Sequence, residues 1–240
     1  MRRSVLTSGL VLAFAASLSS AAFASAPNLV ANGNFEAGNT GFTSGYAYSP
    51  GANTDEGQYT VRSNPFPWNG LFISGGDHTT GSGLMYVGNG SAVDGAVVWE
   101  STTIAVAPNT DYFFEAFVTD VCCSSPFPGN TPSILEFSVS GDSLGTATTN
   151  LALAGTWQGL SKAWNSGSST SVTLSLINRN TARAGNDFAI DDIYLGTVST
   201  VIPGVPEPDG CALMLLGAGV LVAVRRRAAE RGGAGVRVPR

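Results

Sequence analysis

The chain has 240 residues, of which 17 are acidic and 12 are basic, so its formal net charge is −5. The acidic excess lies between Ser25 and Thr200, where fourteen Asp and Glu side chains accompany four Arg and Lys side chains, a net charge of −10. Such a charge makes nucleic acids and anionic lipids poor partners and favours cations such as Ca²⁺, although acidity also keeps an exported protein soluble.

The first element in chain order is a secretory signal peptide, predicted for residues 1–24. Two arginines precede the apolar stretch Val11–Leu18, and the small residues that follow offer cleavage after Ala24 or after Ala26. A basic start, an apolar segment and a small-residue cleavage site in this order are typical of export. The residues that follow are enough for one domain, which we predict to span residues 25–200.

The middle of the chain has the pattern of an all-β protein. Clusters of Gly, Asn, Ser, Thr and Pro recur along it, with β-branched and aromatic runs between them. The apolar residues of Ser171–Ile177 alternate, as in a half-buried strand, whereas Tyr112–Val118 is almost wholly apolar, as in a deeply buried one. Short strands with frequent turns predict a two-sheet antiparallel β-sandwich, specifically a jelly roll. The predicted strands are residues 84–87, 97–106, 112–121, 134–139, 171–177 and 188–195.

Three segments of this domain resemble known jelly rolls. Asn28–Glu36 contains Asn-Gly-Asn-Phe-Glu, and Gly185–Leu195 contains Ile-Asp-Asp-Ile. The pair is similar to the first and last strands of galactose-binding-like jelly rolls, including carbohydrate-binding modules. Asp77–Val87 is similar to a segment of adhesive extracellular jelly rolls such as MAM domains. The resemblance implies the jelly-roll fold, with first and last strands that run side by side.

Acidic residues in these terminal strands point to a bound cation. Carboxylates from adjacent strands and nearby backbone carbonyls can form an oxygen cage for Ca²⁺, which accepts about six to eight such ligands. The resemblance implies a structural calcium held by Glu36 and by Asp191 or Asp192, with Asn34 as a weaker candidate. On strict strand alternation Asp191 shares a face with Ile193 and Asp192 lies on the opposite face, and Asp191 is narrowly preferred. A solvated acidic edge that discourages sheet aggregation is the alternative.

The sequence lacks the patterns of the commonest catalytic sites. His78 is the only histidine, which argues against a Ser-His-Asp triad or a multi-histidine zinc site, and no phosphate-binding loop is present. A pair of carboxylates such as Glu100 and Glu115 is expected by chance among fourteen acids. We therefore expect a protein that is not an enzyme, in which His78 fixes a loop by hydrogen bonding.

The domain holds two cysteines, Cys122 and Cys123, which are adjacent in the chain. Two free thiols, a strained vicinal disulfide and a link to another chain are all compatible with this spacing in an oxidising compartment. A catalytic Cys-x-x-Cys pattern is absent, so a structural role at this turn is favoured.

Aromatic residues in loop-like sequence are candidates for sugar binding, because aromatic rings stack on the apolar faces of sugars. The candidates are Tyr46, Tyr48, Tyr59 and Trp68. The other tryptophans, Trp99, Trp157 and Trp164, are embedded in strand-like runs and are predicted to fill the core of the sandwich. An extracellular polysaccharide is the predicted ligand.

The end of the chain has the order of a sorting signal, predicted for residues 201–240. Val205-Pro206-Glu207-Pro208 is followed by the uncharged apolar run Cys211–Val224 and by Arg225-Arg226-Arg227. This order resembles the PEP-CTERM sorting signal of Gram-negative bacteria and implies recognition by an exosortase. The fourteen apolar residues fall short of the roughly 20 of a full membrane span, so the predicted helix is a marginal, transient anchor in the inner membrane. The positive-inside tendency leaves the domain outside that membrane.

The sequence therefore predicts an exported, exosortase-sorted protein of the cell envelope, cell surface or extracellular matrix. The predicted activity is polysaccharide binding in envelope, biofilm or floc. A passive matrix protein without a discrete ligand is the main alternative, and a polysaccharide-acting enzyme is a more distant one.

Overall fold

The computed structural model describes residues 27–123 and 129–201. The predicted signal peptide of residues 1–24 lies outside the described residues. So do the Val205–Pro208 motif, the predicted helix at 211–224 and the arginines Arg225 to Arg227. Within the described part of the chain, no helix has the length and apolar character needed to cross a membrane.

The described residues form two facing β-sheets, which confirms the predicted all-β sandwich. One sheet has five strands in the order β1-β5-β12-β8-β9, the other has six in the order β10-β7-β13-β4-β3-β2, and β11 pairs with β6. The pairs are antiparallel except for β2 and β3, which run parallel. The strands are β1 (Phe42–Thr43), β2 (Ala47–Tyr48), β3 (Gln58–Arg62), β4 (Met85–Asn89), β5 (Val97–Ser101), β6 (Ile104–Ala105), β7 (Asp111–Asp120), β8 (Ile134–Val139), β9 (Asp142–Thr148), β10 (Gln158–Asn165), β11 (Ser171–Val172), β12 (Leu174–Asn178) and β13 (Phe188–Gly196).

The six predicted strands are found, and two of them are divided. The run at 97–106 forms β5 and β6, and the run at 171–177 forms β11 and β12. Five strands, β1, β2, β3, β9 and β10, were not among the predicted ones. β9 consists mostly of small and polar residues, pairs only with β8 and is largely exposed. Tyr59 was treated as a loop residue, although it lies in β3 opposite Gly88 of β4.

The core lies between the two sheets and is rich in aromatic rings. Alternation along β7 turns Tyr112, Phe114, Ala116 and Val118 inward, whereas Phe113, Glu115, Phe117 and Thr119 face outward. Tyr86 of β4 stacks on Tyr59 with ring centroids 4.8 Å apart. Trp99 is fully buried in this core, as predicted, and Trp164 packs half-buried against it.

Residues 28–36 form turns rather than the first strand that the resemblance implies, but they lie beside the last strand, as it also implies. The Leu29 amide donates to the Leu195 carbonyl at 2.9 Å, and the Ile193 amide donates to the Gly33 carbonyl at 2.8 Å. A Cβ at position 33 would lie 2.1 Å from the Ile193 carbonyl oxygen. Glycine is therefore required where the first segment crosses the last strand.

A second apolar cluster lies on the outer face of the six-stranded sheet. In β4 and β13, every second residue faces away from the core. The segment between β3 and β4 folds over these outward-facing residues. Trp68, at 1% exposure, and Phe72 bring their rings from this segment, with centroids 6.0 Å apart. The strand residues of this outer cluster are Met85, Val87 and Ala189, with Val121 just after β7.

The chain after β13 returns across the same outer face. Glu115 of β7 is fully buried there and accepts hydrogen bonds from the Ser161 hydroxyl at 2.8 Å and from the Thr200 amide and hydroxyl at 2.7 Å each. Glu100 lies in the opposite sheet, where it accepts from the Ser175 hydroxyl at 3.0 Å. The fold thus places Glu100 and Glu115 in different sheets rather than together. Cys122 and Cys123 form a disulfide with each other.

Replacing Trp68 with alanine is expected to reduce the free energy of unfolding by about 3 to 5 kcal/mol, because it empties the centre of the outer cluster. Phe66→Ala is the matched control, since Phe66 lies in the same segment with 47% of its surface exposed. Chemical denaturation of both variants measures the difference. An unchanged midpoint for Trp68→Ala contradicts the packing described here.

Candidate functional site

The loop between residues 76 and 84 is held by a buried carboxylate, that of Asp77. Its two oxygens accept the Thr80 amide at 2.8 Å and the Gly83 amide at 2.6 Å. Burial by itself raises the pKa of Asp77, but the hydrogen bonds from Thr80, Gly83 and Ser82 together lower it. Asp77 was not assigned to a site from the sequence, although Asp side chains in turns often accept hydrogen bonds from nearby backbone amides.

Asp191 and Asp192 both bind this loop, because β13 has a bulge between Asp191 and Tyr194. Asp192 has a φ of 46°, and the register of β13 against β7 shifts at this point. Asp191 Oδ2 accepts the His78 amide at 2.9 Å and the Thr79 amide at 3.1 Å. The expectation that Asp191 shares a face with Ile193 is wrong, since Ile193 lies in the core and the Asp191 carboxylate meets the outer loop.

The environment of Asp191 disfavours its charge. Burial, and next the neighbouring Asp192 carboxylate, raise the pKa of Asp191 to about 6. Asp192 in turn contacts the His78 ring, with Nδ1 and Oδ2 2.6 Å apart. The His78 ring also stacks on Phe117 with centroids 3.6 Å apart. His78 thus fixes the loop onto the sheet, as the sequence analysis expected.

Glu36 reaches the other end of the same loop. Its Oε1 atom accepts the Leu84 amide at 2.7 Å. A Cβ at position 83 would lie 2.1 Å from that atom and 3.0 Å from Asp77 Oδ2, so the two carboxylates converge on Gly83. Asn34 accepts the Glu36 amide at a long 3.5 Å. The structure therefore brings Glu36, Asp191 and Asp192 to one loop.

The fit of this group to Ca²⁺ is incomplete. Asp191 Oδ2 already accepts two amides and the Thr79 hydroxyl, and these donors compete with a cation for the oxygen. Among the described residues, no group of three or more His, Cys, Asp or Glu side chains is arranged to hold a metal ion. The calcium site of Glu36, Asp191, Asp192 and Asn34 stays a prediction.

A cleft of about 240 Å³ lies beside the loop, on the outer face of the six-stranded sheet. Its floor consists of strand residues and the residue after β7, namely Met85, Thr119, Val121 and Ala189. Ile73–Asp77 forms one wall, and Trp157 forms another. The Trp157 indole donates to the Gly76 carbonyl at 3.2 Å and packs edge-on to the His78 ring at 5.9 Å. Both walls are therefore held against each other.

The aromatic residues predicted for sugar contact do not lie in this cleft. Tyr46, Tyr59 and Trp68 are buried, with 5%, 6% and 1% of their surfaces exposed, whereas Tyr48 is 45% exposed. A buried ring offers no face for stacking, so the loop-like appearance of these segments was misleading. Trp157, which was predicted to fill the core, lies instead on the outer face with its side chain half-buried. The burial of Trp68 and the outward position of Trp157 follow from the packing of the 63–76 segment, which the sequence pattern does not show.

Comparison with protein-family models finds no match, and comparison with curated protein sequences finds none either. Solved structures with similarity to the chain include sugar-binding domains. One is the C-terminal domain of EclA, described as a sugar-binding protein, at 15% identity and a TM-score of 0.35, covering 42% of this chain and 67% of that one.

A second is a family 4 carbohydrate-binding module, at 13% identity and a TM-score of 0.37, covering 70% of this chain and 99% of that one. A third is the enzymatically active domain of bacteriophage CBA120 tailspike protein 4, at 14% identity and a TM-score of 0.43. This similarity covers 71% of this chain and 21% of that one. At these scores the similarities carry no argument about ligand or activity.

Millimolar Ca²⁺ is expected to raise the melting temperature of the full-length protein by binding to the predicted site. Binding to the folded state alone adds RT ln(1 + [L]/Kd), about 2.7 kcal/mol at one hundred times Kd. Glu36→Gln combined with Asp191→Asn should remove this response, whereas Asp55→Asn, at an exposed carboxylate elsewhere, should keep it. Identical melting curves in calcium and in EDTA refute the site.

Proposed function

We propose that this protein is an exported polysaccharide-binding protein of the cell surface or extracellular matrix, which an exosortase sorts through its C-terminal signal. The cleft walled by Trp157 is the observation that carries the binding part of the proposal. It combines an aromatic ring, apolar strand residues and polar groups in one concave surface. Sites for sugars need this combination, because a sugar ring has apolar faces and a polar edge.

The polar groups of the cleft suit hydroxyl ligands. Thr119 lies in the floor, and Ser74, Gly75 and Gly76 add a hydroxyl and backbone groups along one wall. The volume of about 240 Å³ is below the roughly 300 to 1,000 Å³ of sites that hold drug-sized ligands. A short segment of a polysaccharide is the occupant that fits this size.

Binding without hydrolysis is the activity that the cleft favours. Glycoside hydrolysis uses two carboxyl groups on opposite sides of the scissile bond, one of them protonated. Among the described residues that line the cleft, Asp77 is the one carboxylate, and both of its oxygens accept loop donors. Its pKa is lowered, so it stays ionised and is a poor general acid.

The sorting part of the proposal rests on the residues that follow the domain. Val205-Pro206-Glu207-Pro208, the apolar run and the three arginines have the order of an exosortase substrate. The chain leaves the domain at the sheet face where Thr200 binds Glu115, on the same face as the cleft. Delivery of a polysaccharide-binding domain to the envelope or matrix would contribute to cohesion of a biofilm or floc.

Replacing Trp157 with alanine is expected to weaken binding to the extracellular polysaccharide of the producing strain about tenfold, equivalent to about 1.4 kcal/mol. Trp157→Phe keeps an aromatic face in the cleft and should retain most of the affinity. Affinity electrophoresis in gels cast with that polysaccharide measures the change, and melting curves confirm that each variant is folded. Unretarded migration of the wild-type protein refutes polysaccharide binding.

Changing Pro206, Glu207 and Pro208 to alanine is expected to leave an unprocessed precursor in the membrane fraction, because the apolar segment and the arginines still retain it. Fractionation of the producing strain, followed by mass analysis of the protein, measures processing. Substituting the neighbouring Ser199 and Val201 by alanine is the control and should leave sorting intact. Equal release of the motif variant and the wild type contradicts the sorting proposal.

A further inference from the structure

A second pocket lies next to the cleft, on the other side of a short ridge. Two backbone contacts form the ridge. Phe72 and Cys122 form an isolated antiparallel β-bridge, and the Ile73 amide donates to the Val121 carbonyl at 2.7 Å. Ile73 and Val121 line the cleft, whereas Phe72 and Cys122 line the second pocket, whose volume is about 160 Å³. Neighbouring residues thus face the two pockets from opposite sides of the ridge.

Charged side chains of both signs line the second pocket, with an acidic excess. Glu56 and Asp187 are its carboxyl groups, and Arg183 Nη1 donates to Glu56 Oε2 at 2.9 Å. The Arg183 side chain is 76% exposed, so water and salt screen this ion pair. Asp187 is 7% exposed and accepts the Gly90 amide at 2.9 Å. Burial raises the pKa of Asp187 to about 7 despite that hydrogen bond, and the charges of Glu56 and Asp120 add to the increase.

These groups favour a cationic occupant. Within the described residues Asp187 has no ion-pair partner, and the mostly solvated Arg183 is the one cation that lines the pocket. A monovalent ammonium group would offset the desolvated carboxyl and would add a charge-assisted hydrogen bond. A divalent metal fits less well, because two carboxyl groups and a guanidinium make a weak site for it. The acidic domain as a whole attracts cationic polymers.

The remaining lining suits a sugar ring. Leu71, with 58% of its surface exposed, and Phe72 supply an apolar wall. Asn69 and Asn89 both donate from Nδ2 to Asn53 Oδ1, at 2.9 and 2.7 Å, which holds the two amides at the pocket. Amide groups fixed in this way can bind ring hydroxyls beside an apolar face.

We infer that the second pocket is a subsite for an amino sugar with a free ammonium group, carried by the same polysaccharide that occupies the Trp157 cleft. The inference rests on the proposed function and adds the chemical class of the polysaccharide: a glycan with unacetylated amino groups. Glu56 and Asp187 would bind the ammonium group, and the asparagine amides would bind hydroxyls.

Titration calorimetry of the full-length protein in mild detergent tests the inference with two matched probes, the hexamer of glucosamine and the hexamer of N-acetylglucosamine. The wild type should bind the amine hexamer about tenfold more tightly, because only that probe carries ammonium groups. Glu56→Gln and Asp187→Asn should remove this preference. Asp94→Asn, at a 64% exposed carboxylate paired with Arg179, is the control and should keep it.

Two further variants separate this inference from the proposed function. Trp157→Ala should weaken both hexamers and leave their ratio unchanged, since it acts on the cleft. Arg183→Gln should strengthen binding of the amine hexamer severalfold, because it removes the opposing cation from a surface position that the fold does not depend on. Equal binding of the two hexamers by the wild type, no binding of either, or weaker amine binding by Arg183→Gln overturns the inference. The affinity gels cast with the native polysaccharide decide the proposed function independently.

Discussion

The bond between the Asp191 carboxylate and the amides of His78 and Thr79 is the contact on which the outer face of this domain depends. It joins the last strand to the loop at 76–84, and that loop forms one wall of the cleft. The bulge of β13 makes the contact possible, because it directs two consecutive carboxylates to one side of the sheet while Ile193 stays in the core. A straight strand would point one of them into the apolar interior.

Buried acidic side chains are a general feature of this domain. Asp77, Glu115, Asp120, Asp187 and Asp191 are all buried, and none of them forms an ion pair within the described residues. Each accepts hydrogen bonds instead, Glu115 from Ser161 and Thr200 and Asp120 from Ser133. Amide and hydroxyl donors offset the loss of water, and they also fix the positions of loops and of the C-terminal segment. Asp187 has the fewest such donors, and its ionised form is the least favoured. A cationic ligand would therefore stabilise this carboxylate more than the others.

The proposed binding pockets and the segment after β13 lie on the side of the six-stranded sheet that faces away from the core. The inner face is filled by a core of aromatic and aliphatic side chains, whereas the outer face is only partly covered by the 63–76 segment and by the chain after β13. The cleft lies on this outer face, between the Ile73–Asp77 wall and Trp157. The proposed binding cleft and the segment that ends at Val201 therefore lie on the same face of this sheet.

The amino-acid sequence was sufficient to predict the all-β class, six strand-forming runs and the role of His78, and its resemblance to jelly rolls implied that the two ends of the domain lie side by side. These follow from alternation, turn residues and short motifs, which are local properties of the chain. It did not determine which aromatic rings are exposed, because the burial of Trp68 and the position of Trp157 depend on a segment that folds across strands distant in sequence. Nor could alternation place Asp191, since a bulge breaks the two-residue period on which that reasoning relied. The polar pocket around Glu56, Arg183 and Asp187 likewise exists only after folding, because its residues come from four separate loops and from β4.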